Sequence, residues 1–178
     1  MKTAFLYAGQ GAQTTGMGRD LYEKYPSFAA IYDAADRVKP GLKSIIFENK
    51  DDALTRTENT QPALVAFAIG VTMLLGEKHI YPDVTLGLSL GEYSALYGAS
   101  AFSVESALKA VAFRGEAMRK AGEGGTWGMS AVLGLEAEKL EAVCRQAGCY
   151  PTNYNCPGQI VISGEKDKVD EAGELAKE

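Results

Sequence analysis

Five residues, Gly87-Leu88-Ser89-Leu90-Gly91, constrain this chain more than any other stretch. The mainly apolar run from Asp83 to Leu88 reads as a central strand that leads straight into them, and Leu90 to Gly98 reads as a helix that follows at once. Gly-x-Ser-x-Gly between a strand and a helix is the nucleophile-elbow arrangement. Glycines on either side allow a sharp turn without Cβ clashes, which lifts the serine hydroxyl off the end of the sheet. The helix start then points free backbone N–H groups at the place where an oxyanion forms as that hydroxyl attacks a carbonyl. Ser89 is therefore the candidate nucleophile, and the N–H of Leu90 the natural first oxyanion donor. A serine capping a helix in a Gly-rich turn gives the same five letters; the flanking strand and helix are what favour the elbow.

The elements around it set the fold class. Ala4 to Tyr7 is a short apolar run ended by Gly9-Gln10-Gly11, a buried strand entering a tight loop. Helical spacing of Leu21, Tyr25, Phe28, Ile31, Tyr32 and Ala35 predicts two short helices between Gly18 and Val38, broken at Pro26. Ser44 to Phe47 reads as another helical turn. An apolar helix is expected from Thr60 to about Gly76, with Pro62 in its first turn, where no N–H donor is needed. Ser103 reads as the N-cap of a helix reaching about Lys120. Apolar strands alternating with helices indicate an α/β chain with a parallel sheet. Loops after the strands then gather on one sheet edge, which brings this glycine loop toward Ser89 and makes a backbone N–H near Gln10 a candidate second oxyanion donor. The glycines of residues 9–18 lack the spacing of a phosphate-binding loop.

Gly122-Glu123-Gly124-Gly125 marks a hinge, so domains are expected at 1–124 and 125–178. Beyond it come a strand (Met129 to Leu133), a helix (Glu136 to Ala147), two strands (Tyr150 to Tyr154, Gln159 to Ser163) and a helix from Lys166. These are five of the six elements of a ferredoxin-like unit. The sequence stops inside the last helix, so a truncated subdomain with an unpaired sheet edge is expected.

Composition excludes some classes of function. A net charge of −5 with no Lys/Arg run argues against nucleic-acid binding. The longest apolar stretch, Ala63 to Leu75, falls short of the roughly 20 residues of a membrane span. Cys144, Cys149 and Cys156 have no histidines at metal-ligand spacing, so free thiols in a reducing cytoplasm and no metal site are expected.

Five segments together resemble the malonyl-CoA:acyl carrier protein transacylases and the acyltransferase domains of fatty-acid and polyketide synthases. They are Ala8-Gly9-Gln10-Gly11-Ala12-Gln13 with Gly16-Met17-Gly18; Thr60-Gln61-Pro62-Ala63-Leu64; Gly87 through Leu96; Arg114-Gly115-Glu116-Ala117-Met118; and Asn153 through Gly164. The resemblance spans the chain and implies an α/β-hydrolase-like core carrying a ferredoxin-like subdomain. It implies a ping-pong transfer in which Ser89 takes malonyl from coenzyme A and passes it to the phosphopantetheine thiol of acyl carrier protein, with no bound cofactor. It makes the N–H groups of Gln10 and Leu90 the oxyanion hole and Arg114 the partner of the malonyl carboxylate. A planar, permanently charged guanidinium suits that role, although a solvated charge late in a helix is the competing reading of Arg114.

The chain departs from the family's pattern in two ways. Leu88 stands where the family usually has a histidine before the nucleophile. The family's general-base histidine, and the residues that discriminate among acyl chains, lie past residue 178. His79 precedes the elbow strand, which spans about 20 Å at the usual rise, so it is expected at the opposite sheet edge, in a surface loop. A fragment lacking its base is the expectation. The alternatives are a non-catalytic fragment that binds acyl carrier protein or coenzyme A, and a general serine esterase.

Overall fold

Ala4–Tyr7 (β1) and Val84–Gly87 (β2) pair in parallel, with Ala4 opposite Val84 and Tyr7 opposite Gly87. They belong to a computed structural model that describes residues 2–177 and divides after Ala121 into two compact units. The first unit continues from β1 through α1 (Arg19–Lys24), α2 (Pro26–Val38), α3 (Leu42–Glu48), a 3₁₀ segment (Lys50–Thr55) and α4 (Thr57–Glu77). After β2 come α5 (Gly91–Gly98) and α6 (Val104–Ala121).

Periodicity explains the core. Phe28, Ile31, Tyr32 and Ala35 recur at helical spacing on α2 and are all buried, together with Val65 and Ile69 of α4 and Leu108 and Val111 of α6. Pro26 begins α2, where its fixed φ suits the first turn, and Tyr25 is the extended residue that separates α1 from α2. Ser103 caps α6 as expected: its Oγ accepts the Ser106 N–H at 3.1 Å.

α4 departs from expectation. It starts at Thr57 rather than Thr60, so Pro62 lies inside the helix and cannot donate to the Glu58 carbonyl. Side chains secure this turn instead. Asn59 Nδ2 donates to the Ala53 carbonyl at 2.9 Å, and Thr60 Oγ1 to the Leu54 carbonyl at 2.5 Å. With the added turn, α4 has 21 residues and by length and composition could cross a membrane, unlike the shorter run read from the sequence. In this fold it is the central core helix, with residues 59–66, Ile69 and Gly70 buried. Leu6, Val84 and Leu86 leave an exposed apolar strip on β1 and β2.

The second unit holds β3 (Trp127–Leu133), α7 (Ala137–Ala147), β4 (Tyr150–Cys156), β5 (Gln159–Glu165) and α8 (Lys166–Leu175). Its sheet is antiparallel in the order β3-β5-β4. The register of β4 against β5 shifts after Pro151, which cannot donate to the ladder. Among the described residues the other edge of β3 carries no strand. Leu140, Cys144, Ile160, Ile162 and Val169 form the core of this unit. The chain is thus α/β, with a parallel pair in one unit and an antiparallel sheet in the other.

Cys144 and Cys149 are buried and Cys156 is exposed; none is in a disulfide. Burial, reinforced by a hydrogen bond with Cys149, pushes the Cys144 thiol up to about 12. Only thiolates react readily with alkylating agents, so native protein near neutral pH should take its iodoacetamide label at Cys156. Peptide mapping checks this; Cys144 labelling as fast as Cys156 before unfolding would contradict the buried placement.

Candidate active site

Close contacts make the elbow. Ser89 has φ 51°, a left-handed conformation that costs a non-glycine residue roughly 1–3 kcal/mol. The turn is closed by the Gly91 N–H on the Leu88 carbonyl at 2.9 Å and the Glu92 N–H on the Ser89 carbonyl at 3.3 Å. A Cβ on Gly87 would lie 2.1 Å from the Gly91 carbonyl, and one on Gly91 2.3 Å from the Tyr7 oxygen. Both glycines are therefore needed where strand end, helix start and β1 meet. Leu90 is buried beneath the turn, while Leu88 and Ser89 are exposed.

The loop after β1 lies against this turn: a Cβ on Gly9 would sit 3.1 Å from the Leu88 oxygen. Parallel pairing of β1 with β2 brings the two loops to one edge. In that loop Gln10 Oε1 accepts the Thr57 hydroxyl at 2.8 Å, and the Gly11 N–H donates to Gln13 Oε1 at 2.9 Å. Among the described residues no acceptor meets the backbone N–H of Gln10 or of Leu90.

Arg114 comes to the same place from α6. It is half-buried, donates through Nη2 to Ser89 Oγ at 2.9 Å and through Nη1 to Gln61 Oε1 at 2.7 Å. Its guanidinium carbon lies 5.7 Å from the centre of the Tyr93 ring. Arg114 makes no ion pair among the described residues, and the nearby Glu116 carboxylate turns to Arg119 and Lys120 instead. Ser89, Leu90, Gln10 and Arg114 thus belong to one connected cluster within the first unit. His79 does not join it. It is exposed just past α4, on the side from which β2 starts, whereas Ser89 follows the end of β2. Glu92 is exposed in the first turn of α5. Chemically, the cluster offers an exposed hydroxyl, backbone N–H donors beside it, and a cation with N–H groups to spare.

Residues 4–178 match the family described as the acyl transferase domain. The chain belongs to that family. A malonyl CoA-acyl carrier protein transacylase of Bacillus subtilis (strain 168) is 46% identical over 183 residues, which cover 99% of this chain and 58% of that relative. MCAT from Streptococcus pneumoniae superposes with a TM-score of 0.90 at 45% identity, over 99% of this chain and 59% of that one. A type II PKS acyl-carrier protein in complex with its malonyl-transacylase gives a TM-score of 0.90 at 34% identity, over 99% and 59%. The chain therefore spans less than two thirds of the relatives it matches.

This acyl transferase domain also holds polar residues to which sequence reasoning gave no role. Thr57 and Gln61, one turn apart at the start of α4, link the Gln10 side chain to Arg114. The available signal was a Thr-x-x-x-Gln spacing opening an otherwise apolar helix, where a buried amide must find partners.

Proposed function

We propose that the protein carrying this chain transfers a malonyl group from coenzyme A to acyl carrier protein through an ester on Ser89. The observation that carries this reading is Arg114, unpaired with any described carboxylate and 2.9 Å from Ser89 Oγ. A cation at the nucleophile suits an acyl group that ends in a carboxylate. The names of the relatives, and the complex of one malonyl-transacylase with its acyl-carrier protein, support the same substrates.

In the first half-reaction Ser89 Oγ attacks the thioester carbonyl and its proton passes to a base. The N–H groups of Gln10 and Leu90 hold the oxyanion while the C–S bond breaks and coenzyme A leaves as the thiol. In the second, the phosphopantetheine thiol attacks the Ser89 ester and the serine proton is restored. Arg114 is a permanent cation and cannot serve as the base. His79, exposed past α4 on the side from which β2 starts, is not placed to take that proton. The exchange is redox-neutral, and no resident cofactor takes part in the proposal. These substrates, with three free thiols, fit a reducing cytoplasm.

The fold supports this reading in its finer detail. A parallel pair leading into the elbow fits an α/β-hydrolase-like core in residues 1–124. The order β3-β5-β4 with α7 and α8 fits a ferredoxin-like subdomain in residues 125–178.

Sequential intact-mass measurement tests the proposal. Incubation with malonyl-CoA should add one malonyl group to the protein, and holo acyl carrier protein added afterwards should remove it and gain the same mass. Release as free malonate, with none on the carrier protein, would point to hydrolysis and overturn the proposal.

A further inference from the structure

The geometry points to Gln61 as a positioning residue that sets malonyl selectivity, by aiming Arg114 while leaving its charge uncancelled. This rests on Arg114 as the malonyl clamp and assigns the residue that makes the clamp work. Gln61 is fully buried, and a buried primary amide has two donors and an acceptor to satisfy. Its Nε2 donates to Thr57 Oγ1 at 3.2 Å and to Met118 Sδ at 3.1 Å, and its Oε1 accepts from Arg114 Nη1 at 2.7 Å.

The neighbours fix which way the amide faces. The Arg114 guanidinium can only donate, so the Gln61 atom 2.7 Å from its Nη1 is the oxygen, and the NH₂ then has the Thr57 hydroxyl oxygen as acceptor at 3.2 Å. Gln61 must therefore present its NH₂ to Thr57 and its oxygen to Arg114. The opposite orientation would set donor against donor at the guanidinium. Backbone packing brings the two helices close enough for this contact. A Cβ on Gly115, next to Arg114, would come within 3.0 Å of the Glu58 Cα, so a glycine there lets α6 close on the first turn of α4.

A neutral acceptor is the electrostatically useful choice. A carboxylate in place of the amide would also bond Arg114, but it would cancel the charge that attracts an anionic acyl group. An amide oxygen takes up one N–H and leaves a net cation, with its remaining donors free for substrate. Gln61 thus acts through Arg114 and touches no reacting atom.

The test compares malonyl-CoA with acetyl-CoA as acyl donors to the protein carrying this chain, in Gln61→Glu, Gln61→Met and Arg114→Ala. Gln61→Glu keeps the shape and adds the cancelling charge. It should lower kcat/KM for malonyl-CoA roughly tenfold or more, with most of the loss in KM, and cost acetyl-CoA far less. Gln61→Met removes the acceptor without adding charge, and its malonyl-to-acetyl ratio should fall by a smaller factor. A purely structural role would instead lower kcat for both donors together. If Gln61→Glu melts like the parent and keeps the parent's donor ratio, the inference is overturned. Should Gln61→Glu fail to fold, an unchanged ratio in Gln61→Met overturns it equally. Arg114→Ala separates the two levels. A selective malonyl loss there with no change of ratio at Gln61 rejects only the role of Gln61, whereas no selective loss at Arg114 rejects the clamp itself.

Discussion

Ser89→Ala should leave the protein folded and unable to accept malonyl from coenzyme A. The hydroxyl is the proposed nucleophile at the elbow, and removal of a serine nucleophile from an acyl-transfer site costs on the order of 10⁶-fold in turnover. The proposed ping-pong transfer has no detour around it, because its second half-reaction consumes the ester that the first one makes. Stability should change little, by about 1 kcal/mol or less, since the side chain is exposed and contributes nothing to the core. What Ser89→Ala gives up structurally is the hydrogen bond from Arg114 Nη2 at 2.9 Å. Intact mass after incubation with malonyl-CoA, read beside a thermal melt, separates lost chemistry from lost fold. Equal malonyl uptake by the parent and by a folded Ser89→Ala protein would remove Ser89 from the mechanism.

Sequence and structure agree best where local chemistry is decisive. The elbow is legible because its two glycines meet backbone, Gly87 against Gly91 and Gly91 against Tyr7, and no larger residue fits there. The split of α1 from α2 at Pro26 and the Ser103 cap follow from a fixed φ and a spare hydroxyl acceptor. The start of α4 was not legible. A proline usually belongs to a first turn, and only the tertiary partners of Asn59 and Thr60 show how three more residues join the helix ahead of it. The 3₁₀ segment at Lys50–Thr55 was missed for a related reason. Its Asp51 and Asp52 adopt left-handed φ values that no local pattern announces. In the candidate site, Ser89, Leu90 and Gln10 could be placed from strand order alone, because loops after parallel strands share an edge. The chain of contacts from Gln10 through Thr57 and Gln61 to Arg114 could not, since its members lie far apart in sequence and meet only when α4 and α6 pack.

Arg114→Ala should reduce transfer from malonyl-CoA by roughly 10²-fold, which corresponds to about 3 kcal/mol, the upper end for a hydrogen bond to a charged group. Half-burial of Arg114 sets the scale. Full exposure would let solvent screen the pair down to a small effect, whereas complete burial without substrate would leave the free enzyme with a costly unpaired cation. With acetyl-CoA the loss should be several-fold at most, because that acyl group brings no carboxylate and loses only the ordering of Ser89 Oγ. Arg114→Lys should fall in between. An ammonium keeps the charge, but as a point donor on a flexible stem it cannot span Gln61 Oε1 and Ser89 Oγ as the planar fork does at 2.7 and 2.9 Å. Raising ionic strength should narrow the malonyl-to-acetyl ratio in the parent and barely move it in Arg114→Ala, since the screened attraction is already gone there. Comparison of kcat/KM for the two donors across these three proteins decides the matter. Equal losses with both donors in Arg114→Ala would mean that the guanidinium only orients the serine hydroxyl, and the carboxylate clamp would have to be abandoned.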